Sequence, residues 1–126
     1  MSQNVLVVAA HPDDEILGLG GALGRHVADG DNVHVIIAGE GPTARGDTNV
    51  SQEAFAAAQA AAKVLGVYEP SLLGLPDNRL DTLALLEIIQ PIESAIQSLA
   101  PRVVYTHCGT DLNSDHRIIH QATVTA

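Results

Sequence analysis

A chain of 126 residues, 46% hydrophobic, is long enough for one globular domain with a modest core spanning residues 1–126. Six Lys and Arg against fifteen Asp and Glu leave a formal charge of −9, which repels a phosphate backbone and argues against nucleic acid as a partner. The one cysteine, Cys108, excludes an intrachain disulfide framework and a multi-cysteine zinc knuckle.

In chain order, MSQNVLVVAA carries no basic n-region, and its apolar run is too short to span a bilayer. The cytoplasm is therefore the expected location, and its reducing conditions suit a lone thiol. NVLVVAA reads as a first strand buried on both faces, as parallel sheets require. From Glu15 to Ala28 the apolar residues Ile16, Leu19, Leu23 and Val27 recur at helical spacing, and the turn Asp29-Gly30 ends the helix. NVHVIIA is a second strand. A polar loop, GEGPTARGDTNVS, leads to an Ala-rich helix predicted to start at Gln52 and stop at Gly66. SLLGL is a short third strand. In LDTLALLEIIQPIESAIQSLA, Pro91 is expected to kink a helix or begin a second one. RVVYT is a fourth strand, and the segment from Asp115 to Ala126 reads as helix. Alternating strands and helices predict an α/β fold: a Rossmann-like parallel sheet of order 3-2-1-4 with helices on both faces. Its functional loops lie at the carboxyl ends of the strands, and strands 1 and 4 adjoin where the winding reverses.

Two polar clusters then share one crevice: AHPDDE after strand 1 and HCGTDLNSDH after strand 4. Helix capping by Asp13 or Asp14 uses one carboxylate and leaves the upstream imidazole and the stiffening Pro12 without a purpose. The glycines of GLGGALG lie inside a helix and do not form G-x-G-x-x-G, so they indicate packing against the sheet instead of nucleotide binding. A metal site explains more. Imidazole and carboxylate are the ligands of a catalytic zinc, which takes three protein groups and leaves a fourth position for water. His11 and Asp14 supply two; the third comes from His107, Asp111, Asp115 or His116. Asp13, pointing differently from Asp14, is placed to face the water as a base. The same ligand types suit Fe(II) in a two-His-one-carboxylate enzyme, and a non-catalytic metal-binding or assembly module is a further alternative. His120 lies four residues after His116, but Arg117 stands where a zincin has Glu. His26 and His34 have no partners nearby in sequence and read as surface or edge positions.

The paired motifs AHPDDE and D-L-N-S-D-H-R, with GLPDNRLDT between them, resemble the LmbE-like, or PIG-L, family of metal-dependent de-N-acetylases over nearly the whole chain. The resemblance implies His11, Asp14 and His116 as metal ligands, Asp13 as general base, and hydrolysis of an acetamide to acetate and a free amine. Zinc is the expected cation, with another divalent metal such as Fe(II) as the alternative. Some relatives carry a catalytic histidine where this chain has Asn113, which leaves the acid or oxyanion role open, with His107 and Asp111 as candidates; Asp115 completes the residues expected to support the ligands. Arg45, Asp77 and Asn78 are placed to line the rim, where the resemblance implies an N-acetylglucosamine-type sugar. Pro76-Asp77-Asn78 also reads as a plain turn. Relatives continue beyond this chain's last residue, so a missing C-terminal part, exposed apolar surface and self-association into a homo-oligomer are expected.

Overall fold

Strict alternation in β1 (Asn4–Ala9) decides the layering. Val5 and Val7 face one way and Leu6 and Val8 the other, all at most 1% exposed, so the strand is buried on both sides. The computed structural model, which describes residues 1–40 and 48–126, continues the pattern in β2 (Asn32–Gly39), where Val33, Val35 and Ile37 join the first face and Ile36 and Ala38 the second. The first face is covered by α1 (Asp14–Ala28) and α2 (Thr48–Leu65) through Leu23, Ala58 and Ala62. The second is covered by α3 (Leu85–Leu99) and α4 (Ser114–Thr125) through Ile88, Ile92, Ile119 and Ala122. Edge strands β3 (Ser71–Leu75) and β4 (Val103–Tyr105) complete a parallel sheet of order β3-β2-β1-β4. The predicted order 3-2-1-4, with helices on both faces, is the order observed.

Three local expectations change. Helix α2 begins at Thr48, ahead of Gln52, and the Ser51 hydroxyl donates to the Glu40 carbonyl. Pro91 neither divides α3 nor starts a second helix: it removes one N–H, while the fully buried Ile88 and Ile92, one turn apart, hold the turns on either side of it against the sheet. Gly66 ends α2 as predicted, at φ 80°, a conformation that favours glycine. His26 is no isolated surface residue. Its Nδ1 lies 2.7 Å from Asp31 Oδ2 and its Nε2 2.9 Å from the Tyr105 hydroxyl, which pins the end of α1 to β4, while His34 stacks on Tyr68.

The topology places the end of β1, the β3–α3 connection and the β4–α4 loop at one edge of the sheet. That edge carries the titratable cluster.

Candidate metal centre

Each part of the cluster is held by its own local structure. Asp13 is the N-cap of α1, and its backbone, at φ 136° and ψ −27°, lies in a region that L-residues rarely adopt, at a cost of about 1–3 kcal/mol. The turn lets Asp14 fold back so that its Oδ2 accepts the His11 backbone N–H at 2.9 Å. At the far cluster Asn113 caps α4, its side-chain oxygen accepting from the backbone N–H of Asp115 (2.9 Å) and of His116 (3.3 Å). Asn113 thus serves as a helix cap, and it sets the first-turn Asp-His pair against β1.

Among the described residues, two groups of side chains converge closely enough to hold a cation: His11, Asp14 and His116, and His11, Asp77 and Asp115. Physical chemistry separates them. Asp115 is 0% exposed, and its carboxylate already accepts the backbone N–H groups of Asn78 (2.8 Å) and Leu80 (3.2 Å) as well as facing His11 Nε2 at 2.8 Å. A carboxylate so committed is an anchor, and a reactive ion needs an open side. Asp77, 6% exposed and 3.4 Å from His11 Nε2, lies beside that anchor, buried under the cluster and away from the open rim where it was expected. Asn78, exposed and at φ 55°, donates its amide to Asp77 at 3.4 Å. Arg45 falls outside the described residues.

The first group has the right shape. His11 Nδ1 is 3.3 Å and His116 Nε2 3.2 Å from the same Asp14 Oδ2. Tetrahedral bonds of about 2.0–2.1 Å to one zinc put ligand atoms about 3.4 Å apart. Both imidazoles are turned for this by carboxylates on their other nitrogens: Nε2–H of His11 donates to Asp115, and Nδ1–H of His116 donates to Asp111 at 3.0 Å. The nitrogen left to each ring faces Asp14. His107, a candidate third ligand, is used otherwise: its Nε2 accepts the Ala10 N–H at 2.9 Å, and its ring stacks on His116 with centroids 3.9 Å apart. Burial and the neighbouring His116 hold it below the ordinary histidine range, so it stays neutral. His120 is outside both groups; its Nδ1 donates to the His107 carbonyl at 2.7 Å and steadies the loop.

Electrostatics point the same way. Burial works against charge on His11, but the hydrogen bonds and charges of Asp14 and Asp115 outweigh it, and the imidazole is pushed up to about 9. Burial alone would raise Asp14, yet His11 and His116 hold it below the ordinary carboxylate range. Burial and the adjacent Asp14 raise Asp13. In the absence of a metal, then, the pocket keeps a proton as its cation. A metal must displace that proton from His11 Nδ1, so affinity should rise about tenfold per pH unit below pH 9 and level off above it. Zinc titration calorimetry at pH 7, in buffers of different ionisation enthalpy, should show about one proton released per ion; no release would refute this account.

Two contributors escaped the sequence reading. A Cβ on Gly39 would sit 2.8 Å from the Ala10 carbonyl and 3.4 Å from His11 Cδ2, so only glycine lets β2 pass this close to the ligand. Glu15 is 2% exposed, and its Oε2 accepts the Asp13 N–H at 3.0 Å.

The sequence profile of the PIG-L family, described as GlcNAc-PI de-N-acetylase, matches residues 6–126. The chain belongs to that family. Among the proteins similar to this PIG-L domain is the uncharacterized deacetylase YaiS of Escherichia coli K12, 28% identical over 129 residues, 98% of this chain and 68% of that protein. The conserved protein TT1542 of Thermus thermophilus superposes with a TM-score of 0.82 at 30% identity, over 97% of this chain and 54% of that one. GalB, the 4-carboxy-2-hydroxymuconate hydratase of Pseudomonas putida KT2440, superposes at 0.85 with 25% identity, over 98% and 55%. The PIG-L domain here therefore spans about half the length of these solved structures. No helix among the described residues is long and apolar enough to cross a membrane.

Proposed function

We propose that this chain carries the metal-binding and proton-transfer residues of an N-deacetylase that hydrolyses an acetamide on a small molecule, of the N-acetylglucosamine type, in the cytoplasm. The observation that carries the reading is the convergence of His11 Nδ1, Asp14 Oδ2 and His116 Nε2 beside Asp13. A divalent cation held by these three atoms, zinc by their chemistry, would supply positive charge for a carbonyl oxygen and acidify a bound water to a pKa of roughly 7.

The chain's own groups do the rest. Asp13 is exposed on the open side, next to Asp14, where its carboxylate can take a proton from the attacking water. That proton is the one the departing nitrogen needs in order to leave as an amine. Asp115 and Asp111 keep the two imidazoles from rotating, and neutral His107 packs a flat, uncharged wall against His116. Asn78, together with Arg45, stands as the substrate-side pair of this reading, while Asp77, beneath the cluster, faces the His11 ring instead.

Zinc content of the purified chain, combined with acetate release from N-acetylglucosamine and its glycosides, tests the proposal. Bound zinc with stoichiometric acetate supports it. The likeness to GalB favours a second reading, addition of water to a carbon–carbon double bond at the same centre, and the same preparation assayed for hydration of an unsaturated dicarboxylate separates the two. Iron in place of zinc would move the cation assignment without moving the ligands.

A further inference from the structure

Glu15 breaks a packing rule. It is a carboxylate 2% exposed in the first turn of α1; it accepts the backbone N–H of Asp13 through Oε2 and has its own backbone N–H beside it, while Oε1 is buried with no hydrogen-bond partner among the described residues. A half-satisfied buried carboxylate costs stability, and an apolar side chain of the same size would avoid that cost. Such departures concentrate where function constrains the structure.

What Glu15 touches is a residue under backbone strain. The Asp13 carbonyl accepts the N–H groups of Ile16 (3.0 Å) and Leu17 (2.9 Å), as the helix requires. Its N–H is turned inward to Glu15, and Pro12 before it is buried with a fixed φ. Both peptide planes flanking Asp13 are therefore tied down, and its side chain is directed toward Asp14 and the cluster. Without Glu15, the φ of 136° loses the bond that rewards it, and the residue relaxes toward an ordinary N-cap geometry that aims the carboxylate elsewhere.

We infer that Glu15 is a positioning residue, whose buried carboxylate holds Asp13 in its strained conformation and so aims the base at the reacting water. The inference rests on the reading of Asp13 given above. Glu15→Leu, which keeps the volume and removes the unpaired oxygen, should fold and bind zinc, yet lose about tenfold to hundredfold in kcat for acetate release from N-acetylglucosamine with KM within about twofold. Glu15→Gln keeps an acceptor oxygen and should recover most of that loss. In the amide spectrum of the chain, the Asp13 N–H should move upfield in Glu15→Leu and stay in Glu15→Gln, an outcome that needs no turnover. Combined with Asp13→Asn, Glu15→Leu should add no further loss. Full activity in Glu15→Leu, an unmoved Asp13 amide, or losses that multiply in the double variant would each overturn the inference, whereas an active Asp13→Asn would overturn the assignment of the base and leave the amide result standing.

Discussion

Asp13→Asn should retain bound zinc at the wild-type level and lose roughly 10²- to 10⁴-fold in kcat, the range a positioned base contributes. The amide keeps the size and the polar outline of the carboxylate, and Asp13 is not among the three converging ligand atoms, so the ion site has no reason to change. What disappears is the acceptor for the proton of the attacking water. The Asp13 N–H bond to Glu15 involves the main chain and survives the substitution, so the unusual backbone should persist as well. Equal metal content with turnover near wild type would remove Asp13 from the chemistry.

Asp14→Ala has the opposite signature and the larger structural effect. One oxygen, Oδ2, faces His11 Nδ1 and His116 Nε2 at 3.3 and 3.2 Å and also accepts the His11 N–H, so its loss leaves both imidazoles without the carboxylate they share. Zinc affinity should fall by at least about a hundredfold and acetate release should become undetectable, because the charge that gathers the cation is gone. Titration with a fluorescent zinc competitor measures it. Retention of tight binding would shift the site to the deeper group of His11, Asp77 and Asp115.

The two substitutions also show which parts of the centre could be read in advance. Strand runs such as NVLVVAA and NVHVIIA announce a doubly covered parallel sheet because a strand buried on both faces has no room for polar residues, and β1 and β2 are such strands. His11, Pro12, Asp13 and Asp14 are contiguous, so their chemistry was visible as a string. Residues alone left His107, Asp111, Asp115 and His116 open as the third ligand; it was the family resemblance that singled out His116, and the structure brings that ring to Asp14. Asp115 was readable as a candidate ligand or a support for one, but its anchoring role depends on Asn78 and Leu80, amides 37 and 35 positions away. No spacing rule reports a partner that distant. Glu15 and Gly39 were hidden for a related reason: one is defined by a bond to main chain in a rare conformation, the other by an atom it lacks.

Asp115 also has a bearing on how the molecule comes together. Its carboxylate joins α4 to the β3–α3 connection and to His11, which lies 104 positions earlier. β4, the strand next to β1 on that side, pairs through three residues only. Contacts so far apart in the chain form late, because the intervening polypeptide must be ordered first. A nascent chain complete through α3 holds His11 and Asp14 without the imidazole of His116, and with the His11 ring not yet anchored by Asp115. On the proposed ligand set, the third ligand, the His116 imidazole, therefore joins His11 and Asp14 only when α4 docks, among the last long-range contacts to form.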